Sequence, residues 1–381
     1  MKKIGSEKLF LATNECNLRN GEGTFARLSD GTVMYVYTQY GASWDDHAVA
    51  RLCVCRSYDE GESWSAPEVL IEKDEKAENI MSASLFNLAN GDLGIVYLRK
   101  EKCEGGGLVC MPVFRSSNDL GKSWSEPVFC IDQEGYYCAV NDCVTVEKNG
   151  RILVPMSFCG KKIAPNGTCM ERGETQKTSD GYLVYSDDNG KSWSTMAVLY
   201  SPYDDPRGVG EPGIFVHENG DYWMYFRTPY GFQYFSRSFD GGKSWTPLAP
   251  QFCFSSPDSP MRVKRVGKYV AAVFNPVPYN CTSDSLEVWK SQKRTPLVCA
   301  LSENDARSFA MNNETLANGE LEGFKRNAYL LEDDLSNSYC YPAIIEVSDG
   351  FLVAYYHSNG TPVCLNSCKI TKVYFNELNE L

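Results

Sequence analysis

One eight-residue phrase occurs four times in this chain: serine, any, aspartate, any, glycine, any, any, tryptophan. The copies are SYDEGESW from Ser57, SNDLGKSW from Ser117, SDDNGKSW from Ser186 and SFDGGKSW from Ser238. A fifth, eroded copy, SENDARSF from Ser302, carries Asn304 for the aspartate and Phe309 for the tryptophan. Successive starts lie 60, 69, 52 and 64 residues apart, so the chain is an array of units of about sixty residues. A unit of that size suits a four-stranded propeller blade with its connections. The 381 residues accommodate six units, the last following the eroded copy and closed by a strand from the N-terminus. No Pro-rich or Ser/Gly-rich linker cuts the array, which reads as one domain over residues 1–381.

The residue types of the phrase suit a hairpin turn. The aspartate accepts hydrogen bonds from turn amides, the glycine takes positive φ, and the tryptophan packs between neighbouring blades. In this the phrase resembles the Asp-box, and its role is structural. Each copy supplies only one or two carboxylates and lacks the terminal bidentate glutamate of a calcium loop, so no metal is expected there.

Composition points to an all-β class. Strand-like runs such as TVMYVYTQY, LGIVYLRK, YWMYFRT, YVAAVF and FLVAYYHS each follow a turn signal, and helix-period segments of useful length are absent. Acidic residues outnumber basic ones by 49 to 37, and the net charge of −12 argues against a nucleic acid or anionic membrane partner. Behind the lysines of MKKIGSEKLF there is no apolar core of a signal peptide, and no later run is long enough to span a bilayer. The expectation is a cytoplasmic chain whose 16 cysteines are reduced thiols used as small apolar residues. Cys53 and Cys55 lack a second pair, and with three histidines in the chain no zinc site is expected.

Beyond the repeated phrase, the chain resembles a sialidase over nearly its whole length. The resemblance implies a six-bladed β-propeller with four-stranded antiparallel blades and a site at the centre of the face opposite the Asp-boxes. It also implies a tyrosine nucleophile, a glutamate that activates it, an aspartate acid/base and three arginines around a substrate carboxylate, with no cofactor and no metal. In GEPGIFVHENGDYWMYFRT, Glu211 and Arg227 stand sixteen residues apart, as the sialidase glutamate and second arginine do. In SYCYPAIIEVSDGFLVAYYH, Tyr341 lies nine residues before Gly350, the offset of the sialidase tyrosine, with Tyr339 as its rival. Arg294, in RTPLVCALSEND, leads into the strand of the eroded box and matches the third arginine. Lys293 beside it lacks the planar fork that grips a carboxylate. Asp45 and Asp46, twelve and eleven residues upstream of Ser57, are both candidates for the acid/base, Asp46 being favoured beside His47.

Two places depart from the sialidase pattern. The first arginine should lie ten residues before Gly31, where Gly21 stands, followed by Glu22. Its supporting glutamate should lie seven after Gly350, where His357 stands. Loss of both is coherent, since a buried glutamate without its arginine is costly. Glu22 and His357 are then a candidate new pair, with Arg19 as a partial substitute two residues before Gly21. Arg27 is a strand residue flanking the turn.

The function expected is retaining hydrolysis of a terminal acidic sugar, an exo-α-sialidase or close relative releasing sialic acid or a related ulosonic acid. Asp46, Glu211 and Tyr341 are the catalytic candidates; Arg227, Arg294, Glu22, His357 and Asp45 are the substrate-binding ones. A hydrolase or lyase for a uronic acid glycoside stays open, as does a non-catalytic carbohydrate-binding propeller. The partner is a glycan or small acidic glycoside, with a homo-oligomer also open. Two insertions, Gly160 to Asp180 and Asn275 to Lys293, interrupt the blade rhythm and are candidates for shaping the pocket or an oligomer contact.

Overall fold

The computed structural model describes all residues except 105, 165–168, 172–177, 203–207, 278–293, 308, 310–327, 360–364 and 379–381. Lys293, about half of the first insertion and most of the second therefore lie outside the described residues.

Antiparallel strands in six groups of four give a six-bladed propeller, matching the count of units in the sequence. Blade 1 comprises Arg19–Arg27, Val33–Tyr40, Ala50–Ser57 and Glu68–Ile71; blade 2 comprises Ala77–Asn87, Leu93–Lys102, Leu108–Ser117 and Val128–Phe129. Blade 3 is Thr145–Val146, Ile152–Gly160, Asp180–Ser186 and Ser194–Leu199, and blade 4 is Gly210–Val216, Tyr222–Arg227, Phe232–Ser238 and Ala249–Ser255. Blade 5 is Arg262–Val266, Tyr269–Phe274, Leu297–Ser302 and Ala328–Glu332. Blade 6 takes three strands from the C-terminal end, Tyr339–Val347, Gly350–His357 and Ser367–Tyr374. Its fourth, Ser6–Leu11, comes from the N-terminus and pairs with Ser367–Tyr374. Blades 2 and 3 are further joined by the short strand Tyr136–Cys138, parallel to Leu108–Ser117 and antiparallel to Ile152–Gly160.

Among the described residues, apolar side chains of these strands sort into six clusters, five lying between two neighbouring blades and the sixth, between blades 2 and 3, reaching Tyr40 of blade 1 and Tyr341 and Tyr356 of blade 6. Met34, Val54, Leu85 and Ile95 fill the gap between blades 1 and 2, and Tyr35, Cys55, Leu352 and Ile370 fill the gap between blades 6 and 1. Burial between flat blade faces is what holds the ring together, because no blade can cover its own apolar face.

The Asp-boxes lie in the turns between the third and fourth strands. In the first, Ser57 Oγ donates to Asp59 Oδ1 at 2.8 Å and accepts from Gly61 N at 2.8 Å, while Asp59 Oδ1 accepts from Ser63 N at 2.9 Å. The other three full copies repeat this pattern, and Gly61, Gly121, Gly190 and Gly242 all have φ between 81° and 88°. Trp193 packs on Phe114 of the preceding blade with ring centroids 5.7 Å apart. The eroded copy keeps the geometry: Ser302 Oγ donates to Asn304 Oδ1 at 2.8 Å, and Phe309 packs on Phe254 of blade 4. Arg27 belongs to this face, paired with Glu60 at 2.6 Å.

Candidate active site

The innermost strands of blades 1, 2, 4 and 6 share a backbone irregularity that decides which side chains face the axis. Pairing slips between Gly21 and Thr24 in blade 1, Met81 and Ser84 in blade 2, Gly210 and Gly213 in blade 4, and Cys340 and Ala343 in blade 6. Within each slip one residue takes positive φ: Glu22 at 52°, Ser82 at 55°, Glu211 at 42° and Tyr341 at 56°. Bulges of this kind re-aim a side chain at a cost of order 1–3 kcal/mol. All four residues lie nine before the glycine of the following turn, namely Gly31, Gly91, Gly220 and Gly350. Asp258, nine before Gly267, holds the same place in blade 5.

Across the axis these bulges build one hydrogen-bonded cluster from blades 4, 5 and 6. Tyr341 Oη donates to Glu211 Oε1 at 2.6 Å. Arg227 Nη1 donates to Glu211 Oε2 at 2.5 Å and to Tyr341 Oη at 3.0 Å, and Arg227 Nε donates to Asp258 Oδ1 at 2.6 Å. Arg294 stands beside them: its guanidinium lies 5.7 Å from the Tyr341 ring centroid, and its Nη2 donates to the Asp258 carbonyl at 2.9 Å. Burial and the Glu211 carboxylate push the Tyr341 phenol well above its ordinary range, against the opposing pull of Arg227 and Arg294. The phenol thus keeps its proton at rest, and Glu211 is the acceptor already hydrogen-bonded to it.

A second cluster gathers on Arg19. Only 1 % exposed, it donates from Nη2 to Glu22 Oε1 at 2.6 Å, from Nη1 to Asp46 Oδ1 at 2.5 Å and from Nε to Tyr356 Oη at 2.8 Å. Its guanidinium also lies 4.3 Å from the Tyr40 ring centroid. Glu22 accepts as well from Ser82 Oγ, and burial pushes its carboxyl up against the downward pull of Arg19. The loop bearing Asp46 is pinned by buried side chains of blade 2: the Asp46 carbonyl accepts from Lys100 Nζ at 2.6 Å and Asn79 Nδ2 at 2.8 Å. Arg19 and Lys100 hold the Asp46 carboxyl well below the ordinary carboxylate range.

The structure brings Glu211, Arg227, Arg294 and Tyr341 together and sets Asp46, Glu22 and Arg19 in a neighbouring cluster. Tyr339 is separate: the slip after Cys340 turns Tyr341 to the axis and leaves Tyr339 buried between blades 5 and 6. Asp45 is exposed and caps its own loop, accepting from His47 N at 2.7 Å. The expected Glu22–His357 pair is corrected. Neighbours on a strand face opposite ways, so Tyr356 reaches Glu22 at 3.3 Å while His357 stacks edge-on against Tyr339 and Phe10. His357 is not part of the site geometry.

Tyr356 also accounts for the missing arginine. A Cβ at Gly21 would lie 2.1 Å from its ring, so the ring fills the space a side chain at position 21 would enter. Four further residues of the site escaped the sequence expectations: Asp258, Ser82, Tyr356 and Lys100. The nine-residue offset to the turn glycine was a sufficient signal for Asp258 and Ser82. Tyr356 and Lys100 had none, being one of 23 tyrosines and one lysine in a strand of mixed charge.

A family model described as BNR repeat-like domain matches residues 95–354. Among solved structures, the chain is similar to a protein of unknown function from Dyadobacter fermentans, with 18% identity, a TM-score of 0.71, and 97% of this chain and 98% of that one covered. It is also similar to the intramolecular trans-sialidase from Ruminococcus gnavus, at 11% identity and a TM-score of 0.69, covering 99% of this chain and 98% of that one. With the NanB sialidase from Streptococcus pneumoniae it shares 11% identity and a TM-score of 0.67, covering 99% of this chain and 71% of that one. At such identities the likeness is one of fold. No curated protein matches the sequence.

Proposed function

This chain belongs to the BNR repeat-like domain family, and within it we propose a retaining exo-glycosidase for a terminal acidic sugar, a sialidase or close relative releasing sialic acid or a related ulosonic acid. The observation that carries the proposal is the contact of Tyr341 Oη with Glu211 at 2.6 Å and with Arg227 at 3.0 Å. A buried phenol whose proton already points at a carboxylate is an activated nucleophile in the making. It suits a substrate bearing a carboxylate at the anomeric carbon, where an ionised carboxylate nucleophile would meet a like charge; tyrosine is a recognised exception to the two-carboxylate scheme. That the related trans-sialidase from Ruminococcus gnavus is in complex with oseltamivir carboxylate supports an acidic ligand here.

In this reading Arg227 and Arg294 hold the substrate carboxylate, and Tyr341 attacks the anomeric carbon as Glu211 takes its proton. Arg227 steadies the charge that develops on Tyr341 Oη. Asp46 protonates the leaving oxygen and later activates water. The resting ion pair with Arg19 favours the ionised form, which suits the second task; the first needs that pair to open. A uronate lyase is the second reading, favoured by the same ionised Asp46, because in an elimination Tyr341, relieved of its proton by Glu211, takes the proton next to the substrate carboxylate and delivers it to the leaving oxygen, so that Asp46 supplies none.

Turnover of fluorogenic sialosides and of a panel of uronides by wild type and Tyr341→Phe tests the proposal. Release of free acidic sugar that the substitution abolishes is the expected result. Formation of an ultraviolet-absorbing unsaturated uronide would select the lyase. Absence of turnover on every acidic glycoside, with sugar binding unaltered in Tyr341→Phe, would overturn both.

A further inference from the structure

Two thiols stand in the wall beside this cluster with no part in the chemistry just described. Cys138 ends the short strand Tyr136–Cys138, and Cys159 lies on the antiparallel strand Ile152–Gly160, one step diagonally from its partner Ser157. Their sulfurs are 3.7 Å apart, both residues are partly exposed, and both pack against the apolar cluster that includes Tyr341. Ser179 Oγ lies 3.6 Å from Cys159 Sγ.

The geometry points to a modification site: Cys138 and Cys159 are a dithiol that a hydroperoxide converts reversibly into a disulfide. The sulfurs must close from 3.7 Å to about 2.05 Å, which between diagonal positions of adjacent strands takes side-chain rotation together with a shift of the short strand Tyr136–Cys138. With Ser179 Oγ 3.6 Å from its sulfur, Cys159 is the better placed to attack, and Cys138 together with the hydroxyls of Ser179 and Ser157 draws the Cys159 thiol down against burial. Its thiolate attacks one peroxide oxygen, the O–O bond breaks, and the departing oxygen leaves as water, or as an alcohol from an organic peroxide. Cys138 then attacks the resulting sulfenic sulfur, the S–O bond breaks, and hydroxide leaves as water with the Cys138 proton. Two thiols lose two electrons and two protons, and the peroxide is reduced. Because the Tyr136 ring faces His47 and Lys100, the bond would tie the loop bearing Asp46 to blade 3.

The test uses the full chain with exposed Cys16 changed to serine, exposed to hydrogen peroxide, alkylated and digested without reductant. The expected result is a peptide pair linked through Cys138 and Cys159. Dithiothreitol should release it. In Cys138→Ser the linked pair should be missing and Cys159 trapped by dimedone as sulfenic acid. Full alkylation of both cysteines, at a peroxide dose that oxidises Cys16 in the unsubstituted chain, would overturn the inference. So would oxidation of Cys159 to sulfinic acid without a cross-link.

Discussion

Glu22 is buried to 3 % exposure, and the cation beside it comes from three residues earlier on the same strand. On a regular strand Arg19 and Glu22 would face opposite sides; the slip between Gly21 and Thr24 turns them to one side. Removing one partner of such a buried pair leaves an uncompensated charge. Arg19→Leu should cost about 3–5 kcal/mol, and adding Glu22→Gln should recover most of it; chemical denaturation of both variants checks this. Arg19→Leu should also raise the carboxyl of Asp46 toward the ordinary carboxylate range. The acid limb of the pH–rate profile assigned to Asp46 therefore moves up in pH, and an unmoved limb would separate Asp46 from the chemistry. The grouping of Glu211, Arg227, Arg294 and Tyr341 was legible through the family resemblance, from the sixteen residues between Glu211 and Arg227, the nine from Tyr341 to Gly350, and the place of Arg294 before the strand of the eroded box. The true partner of Glu22 was not, since alternation along a strand fails across a bulge that no residue type announces.

Blades owe their shape to two local devices, the Asp-box turn and the inner-strand bulge. In the first box, hydrogen bonds from the hydroxyl and amide of Ser63 pull the Asp59 carboxyl down to about 2. Its folded value lies below the ordinary value of about 3.9, so its stabilising share is complete above the latter and lost as pH falls through the former. Asp59→Asn should lower the urea midpoint at neutral pH, and the gap to wild type should narrow as pH drops below about 4. A gap independent of pH would mean that the carboxylate charge plays no part. At the bulge of blade 4, a Cβ on Gly213 would lie 2.2 Å from the Tyr225 ring, and Tyr225 Oη accepts from Val263 N at 3.1 Å in blade 5. Gly213→Ala should therefore cost about 1–3 kcal/mol through overpacking and slow turnover by shifting Glu211, two residues away. Turn chemistry was readable from sequence because each residue type has one job there. Bulges are announced by no residue type of their own, and only their shared nine-residue offset from a turn glycine marks them in the sequence.

Closure of the ring rests on the first strand completing blade 6 and on polar ties along the axis. Asp142, in the turn that leads into blade 3, ties that turn to three further blades, accepting from Thr24 Oγ1 at 2.9 Å, Lys264 Nζ at 2.5 Å and Ile344 N at 3.1 Å. Asp142→Ala should destabilise by about 1–3 kcal/mol for each donor left without a partner, seen as a lower thermal midpoint. Deleting residues 1–12 should expose the edge of Ser367–Tyr374 and convert the protein into self-associating species, resolved by size-exclusion chromatography. The number of blades and the closing strand followed from the spacing of the repeats. The axial ties did not, because they join residues more than a hundred positions apart. The central claim is that Tyr341 is the nucleophile, and a fluorinated acidic sugar that slows hydrolysis of a glycosyl intermediate tests it most directly. Peptide mapping by mass spectrometry should place one glycosyl unit on Tyr341, with none in Tyr341→Phe. An adduct on Glu211 or Asp46, or continued turnover of the matching substrate by Tyr341→Phe, would contradict the account.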